Sequence, residues 1–184
     1  MYLHSKFIKV VMCMIIMAHI MCHSNVLAQD GIINPPFGLE WRDHASELPK
    51  KANVILRNAT QEENYYIASR ISNAYREVVT YVVDRYIEYN VTFKGYILTT
   101  DRSKMLTIVA LVREDGSLVE FNNICEKIAE AYGKPKTDSF SELYIGGIRS
   151  HEKRSWKNNR TGLSVYYTKK LFGGDEIMIL FFTL

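Results

Sequence analysis

QEENYYIASRISNAYREVVTYVVDR, residues 61–85, is the stretch on which the fold turns. Thr60 followed by Glu63 is a capping-box signature for the start of a helix. Ile67, Ile71, Ala74, Val78 and Val82 then share one face at about 100° per residue, and Ser69, Asn73, Arg76, Glu77, Thr80 and Asp84 share the other. That spacing favours one long amphipathic helix. Val78 to Val83, however, is rich in β-branched side chains and reads equally as a strand. Both readings stay open, with the helix favoured.

Downstream the period changes to two. Ile87, Tyr89, Val91 and Phe93 alternate with Glu88, Asn90, Thr92 and Lys94, the pattern of a half-buried strand. Thr100 to Lys104 reads as a turn, and Met105 to Val112 as an apolar strand buried on both sides. Ser117 and Glu120 form a second capping box. Leu118, Phe121, Cys125, Ile128 and Tyr132 follow as a helical stripe, ended by Gly133 and Pro135. Three further strands are expected around Glu142 to Ile148, Gly162 to Tyr167 and Glu176 to Leu184. A turn at Gly173-Gly174-Asp175 separates the last two, and the apolar run Ile177 to Phe182 places the final strand inside the sheet.

Upstream, Val54 to Leu56 is a short candidate strand, and Arg42 to Leu48 could make one or two helical turns stopped by Pro49. The expected fold class is α+β: a single domain with a mostly antiparallel sheet packed on one face by helices.

The N-terminus bounds this domain. Lys6 and Lys9 precede an apolar run from Val10 to Cys22, and Val26-Leu27-Ala28 suits a signal peptidase. The expected organisation is a signal peptide over 1–28, a linker over 29–36 around Asn34-Pro35-Pro36, and one domain over 37–184. Localisation follows as periplasmic or secreted, with no membrane span left after cleavage after Ala28. Lipidation of Cys22 is the less favoured alternative, because Met21 stands where a small residue is wanted.

Charge and cysteine content narrow the function. The chain has 23 Lys and Arg against 20 Asp and Glu; without Lys6 and Lys9 the balance is 21 against 20, which names no partner. Cys13 and Cys22 leave with the signal and Cys125 remains alone, so no intrachain disulfide can form. Such a chain depends on its apolar core and suits a bacterial periplasm or surface.

No catalytic, cofactor or metal site is expected. His44 and His151 are far apart, and Asp43, His44 and Glu47 read as a solvated turn rather than a ligand set. Ser150-His151-Glu152-Lys153 has a Ser-x-x-Lys spacing but sits in an apparent connection between strands. Cys125 lies on an apolar stripe, where a packed thiol is expected. No glycine-rich loop joins a strand to a helix, so phosphate has no cradle.

One constellation does stand out. Arg149, Lys153, Arg154, Lys157, Arg160, Lys169 and Lys170 face a single acid, Glu152, in the same stretch. Trp156, Tyr166 and Tyr167 are interleaved. A basic, aromatic surface suits another protein or an anionic envelope component, and nucleic acid is not expected outside the cell. The plainer reading is a solvated sheet edge that uses lysine against aggregation. The chain also holds 12 tyrosines, a residue favoured both in cores and at interfaces. Asn58-Ala59-Thr60, Asn90-Val91-Thr92 and Asn159-Arg160-Thr161 are glycosylation sequons, relevant in a eukaryotic source.

Phe37-Gly38 with Trp41, Ala131-Tyr132-Gly133-Lys134-Pro135, Trp156 and Thr161-Gly162 together resemble a pattern of small exported bacterial proteins of uncharacterised function. The layout is also similar to periplasmic α+β modules of the β-lactamase-inhibitor-like and outer-membrane-assembly lipoprotein kinds. That resemblance implies a non-enzymatic protein-binding module, such as an inhibitor or immunity protein. The alternative is a structural or assembly factor of the envelope, with a hydrolase less favoured than either.

Overall fold

The computed structural model describes residues 32–71, 77–144, 147–170 and 173–184, with side chains at 77 and 142–148 excepted. The expected signal over 1–28 lies outside these residues, as do positions 72–76 of the deciding stretch. In chain order the elements are α1 (Leu48–Lys51), β1 (Arg57–Asn58), α2 (Gln61–Ala68), β2 (Glu77–Glu88), β3 (Val91–Thr100), β4 (Leu106–Glu114), α3 (Leu118–Tyr132), β5 (Lys136–Tyr144), β6 (Gly147–Lys157), β7 (Thr161–Lys169) and β8 (Glu176–Thr183).

All eight strands form one antiparallel sheet in the order β1-β2-β3-β4-β8-β7-β6-β5. The sheet is not closed, and among the described residues β1 and β5 each keep a free edge. This overturns the α+β expectation: the fold is mostly β with few helices. Apolar cover also lies on both faces of the sheet rather than one.

The correction begins in residues 61–85. The capping box forms as read, with Thr60 and Glu63 bonded reciprocally, but α2 ends at Ala68 and β2 occupies the chain from Glu77. The strand won because its valines bury on both faces: Val79 and Val82 in one cluster, Val83 in the other. β-bulges also hid the strand's period of two, although Val78 of the expected helical stripe is exposed. Register shifts between Val79 and Tyr81 and between Val83 and Tyr86 reset the alternation, so residues three apart share a face. Asn64 ties the two elements together, its Oδ1 accepting the Val79 N–H at 2.8 Å.

Other boundaries moved for equally local reasons. The strand expected across Ile87 to Phe93 is two strands joined by a hairpin turn at Tyr89-Asn90, with φ of 52° and 61°. Pro49 opens α1 rather than stopping a helix, sitting in the first turn where its missing N–H costs nothing. Val54 to Leu56 is not a strand; β1 follows it. The expected strand near Glu142 to Ile148 is a hairpin of two longer strands, β5 and β6, in which Lys136 pairs with Ser155. From Ile32 onward the expected linker belongs to the folded unit, because Ile33 is buried and its N–H donates to Thr161 Oγ1 at 2.9 Å.

One face carries the larger core. Phe121, Ile124, Cys125 and Ile128 of α3 pack on Val165, Ile179 and Leu111, each fully buried apolar side chain contributing about 1.5–3 kcal/mol. Ile124 joins this stripe, while Leu118 and Tyr132, expected on it, are exposed. Phe37 covers the other end of the same face. A Cβ at Gly95 would stand 2.7 Å from Phe37 Cζ, so the ring needs glycine beneath it. The opposite face is covered by Ile67 of α2 and by Ile71, over Val79, Val82, Tyr96 and Leu98.

Candidate functional site

The register sorts the basic constellation by face. Across one face run the rows Lys153–Tyr166–Met178 and Lys157–Gly162–Phe182. The Lys153 ammonium lies 5.1 Å from the Tyr166 ring centroid, and that of Lys157 lies 5.5 Å from that of Phe182. Gly162 makes the second contact possible, since any Cβ there would strike the Phe182 ring. Lysines held over aromatic faces gain about 0.5–1 kcal/mol at exposed sites and remain available to an anion.

The opposite face takes Arg154 and Trp156 out of the proposed surface. Arg154 Nη2 donates to Asn122 Oδ1 at 2.6 Å, and its guanidinium lies 4.8 Å from the Phe121 ring centroid, so it is a strut between β6 and α3. Trp156 is 5% exposed, and its indole N–H donates to the Gly133 carbonyl at 2.7 Å. Tyr167 is buried on this side too, donating its hydroxyl to Asp175.

The remaining predicted residues scatter. Arg149 shares the face of Lys153 but stands four residues along β6, opposite Glu142 in the register. Arg160 is exposed in the β6–β7 turn, and its N–H donates to Asn158 Oδ1 at 2.7 Å. Lys169 is exposed at the end of β7. Lys170 is committed to a buried carboxylate, its Nζ lying 3.1 Å from Glu176 Oε2.

That carboxylate anchors a separate charged cluster. Glu176 also accepts the Tyr66 hydroxyl at 3.0 Å and the Arg70 Nε at 3.1 Å, and the Arg70 guanidinium lies 3.6 Å from the Tyr66 ring centroid. Burial pushes the Glu176 carboxyl up, but hydrogen bonds and charge from Arg70 and Lys170 outweigh it and hold the group below its ordinary value. The cluster fastens the end of α2 to the start of β8. A second cluster, in which Arg57 holds both Glu63 and Asp84 at 2.6 and 2.7 Å, fastens β1 to α2 and β2.

Residues considered for chemistry are dispersed. Asp43 is buried, accepting the Glu40 N–H at 2.9 Å and the Lys51 ammonium at 2.5 Å. His44 bridges to Met105 beside the start of β4, whereas His151 shares a row with Thr168, Glu176 and Glu114 at its other end. Among the described residues no group of three or more His, Cys, Asp and Glu side chains could hold a metal ion. Nor is any helix there long and apolar enough to cross a membrane. The Cys125 thiol is 1% exposed, and burial pushes its pKa up to about 11 despite nearby Arg154.

Three residues beside Lys153 and Lys157 escaped the sequence reading. Phe182 was placed in the interior final strand, and Phe140 and Lys136 fell between the expected helix and the strand near Glu142. Phe140 stacks on His151, with ring centroids 4.6 Å apart and planes at 17°. Only the β5–β6 register brings Phe140 and Lys136 to this face. No protein-family model, curated protein or solved structure matches the chain.

Proposed function

We propose that the chain is an exported protein-binding module that engages an acidic partner protein through the face of β6 and β7. The observation carrying this reading is the pair Lys153 and Lys157, each held over an aromatic ring on the sheet face and, among the described residues, neither paired with a carboxylate. Lysine stems lying on aromatic rings keep the charges raised over the face and supply an apolar floor beneath. An inhibitor or immunity protein is one form such a module takes. Export rests on the sequence of residues 1–28.

The test is capture from envelope extract with the native chain and a Lys153→Glu, Lys157→Glu variant. Arg154 is left alone because it braces α3. A single acidic soluble protein retained by the native chain and lost by the variant is expected. Interactions that survive the double reversal unchanged overturn the reading.

A further inference from the structure

Resting on the protein-binding reading, we propose that the outer edge of β5 takes up an extended acidic segment of the partner as a ninth strand. Among the described residues β5 is the long free edge, since β1, at the other side, is two residues long. Residues 136–141 are all exposed. At Ser139 the edge backbone is held locally: its N–H donates to the exposed Asp138 carboxylate at 2.9 Å. A free ladder of this kind pairs with an added strand through main-chain hydrogen bonds, while alternate side chains supply selectivity.

The charges of the face select the occupant. Lys136 shares its face with Ser155, Asp138 with Lys153, and Phe140 with His151. Among the described residues Lys136, Lys153 and Lys157 have no ion-paired carboxylate, and Asp138 is the one acid among them. A strand docked outside β5 lies about 4.8 Å from it and about 10 Å from β6. Carboxylates on that strand sit opposite Lys136 and come within side-chain reach of Lys153. Phe140, 44% exposed on its stacked histidine, meets an apolar side chain of the same segment. A second copy of this chain fits less well, because it would bring its own lysine rows against the first.

The experiment titrates the purified chain into a fluorescein-labelled peptide of alternating glutamate and valine, followed by anisotropy. A peptide with lysine in place of glutamate is the control. Ser139→Pro removes an edge-strand N–H that donates to the exposed Asp138 carboxylate, and the variant's unfolding midpoint, measured alongside, should match that of the native chain. The acidic peptide is expected to bind, to slow hydrogen exchange at the outward amides of β5, and to bind Ser139→Pro at least about tenfold more weakly. The lysine peptide is expected not to bind.

Equal affinity for Ser139→Pro overturns strand addition while leaving the lysine face, and its capture result, intact. Failure of the native chain to bind the acidic peptide overturns the inference too, and the double charge reversal still judges the broader reading. Self-association that Ser139→Pro abolishes, without peptide binding, assigns the edge to a second copy and overturns the proposal.

Discussion

The indole N–H of Trp156 donates to the carbonyl of Gly133 at 2.7 Å, joining the middle of the β-rich half to the end of α3. Two further pattern residues grip one backbone unit: Trp41 Nε1 donates to the Ile33 carbonyl at 2.7 Å, and Thr161 Oγ1 accepts the Ile33 N–H at 2.9 Å. These residues, spread widely along the sequence, therefore act as a set of clasps. Trp156→Phe removes one donor and leaves a small void. Urea unfolding should show a loss of about 1–3 kcal/mol, with amides near Tyr132 and Gly133 exchanging faster. An unchanged midpoint would mean that water replaces the indole at no cost.

Glu176 sets part of the acid sensitivity. Its carboxyl is held below the ordinary 4.5 in the fold, so the unfolded chain takes up the proton first as pH falls. The stabilisation is full at neutral pH and drains away below about pH 4.5. Glu63 and Asp84, held low by Arg57, add the same sign. Glu176→Gln should cost about 2–4 kcal/mol at pH 7, because Arg70 and Lys170 lose their buried counter-charge. The difference from the native chain should shrink by pH 3, and urea midpoints across that range would show it. A gap independent of pH would place the effect in packing.

Cys125 should resist thiol reagents. A thiol that is 1% exposed and shifted to about 11 carries little thiolate at pH 8. Labelling of the native chain should run at the rate of unfolding and accelerate in urea. Fast labelling without denaturant would show that α3 opens locally.

Much of the sheet was legible, and the misreadings have physical causes. Ser117 and Glu120 announced α3 because a capping box is local chemistry. Residues 61–85 misled because the capping box of α2 is real, and bulges at Val79/Tyr81 and Val83/Tyr86 break the alternation that would mark the strand beyond it. The Tyr89-Asn90 turn carried no glycine to mark its two left-handed residues. Positions 149–157 looked like a loop because β6 sets Lys153 and Lys157 toward solvent and keeps Arg154 polar against Asn122. The same alternation split the basic constellation, since neighbours in sequence point to opposite faces. Phe140 joined the site through pairing with a distant residue, which a linear reading cannot supply.

The strand order also governs how this molecule assembles. β2 to β4 and β5 to β8 are two meanders of local hairpins, and the β4–β8 ladder is the seam between them. Its pairs join residues distant in the chain, such as Ile108 with Phe182, so this closure pays the largest loop entropy and belongs late in folding. Until it seats, β4 and β8 each show a raw inner edge to their neighbours. The hazard for this protein is thus a matter of timing: crowding during the interval before β8 docks favours aggregation between half-sheets, even though the finished sheet hides both of those edges.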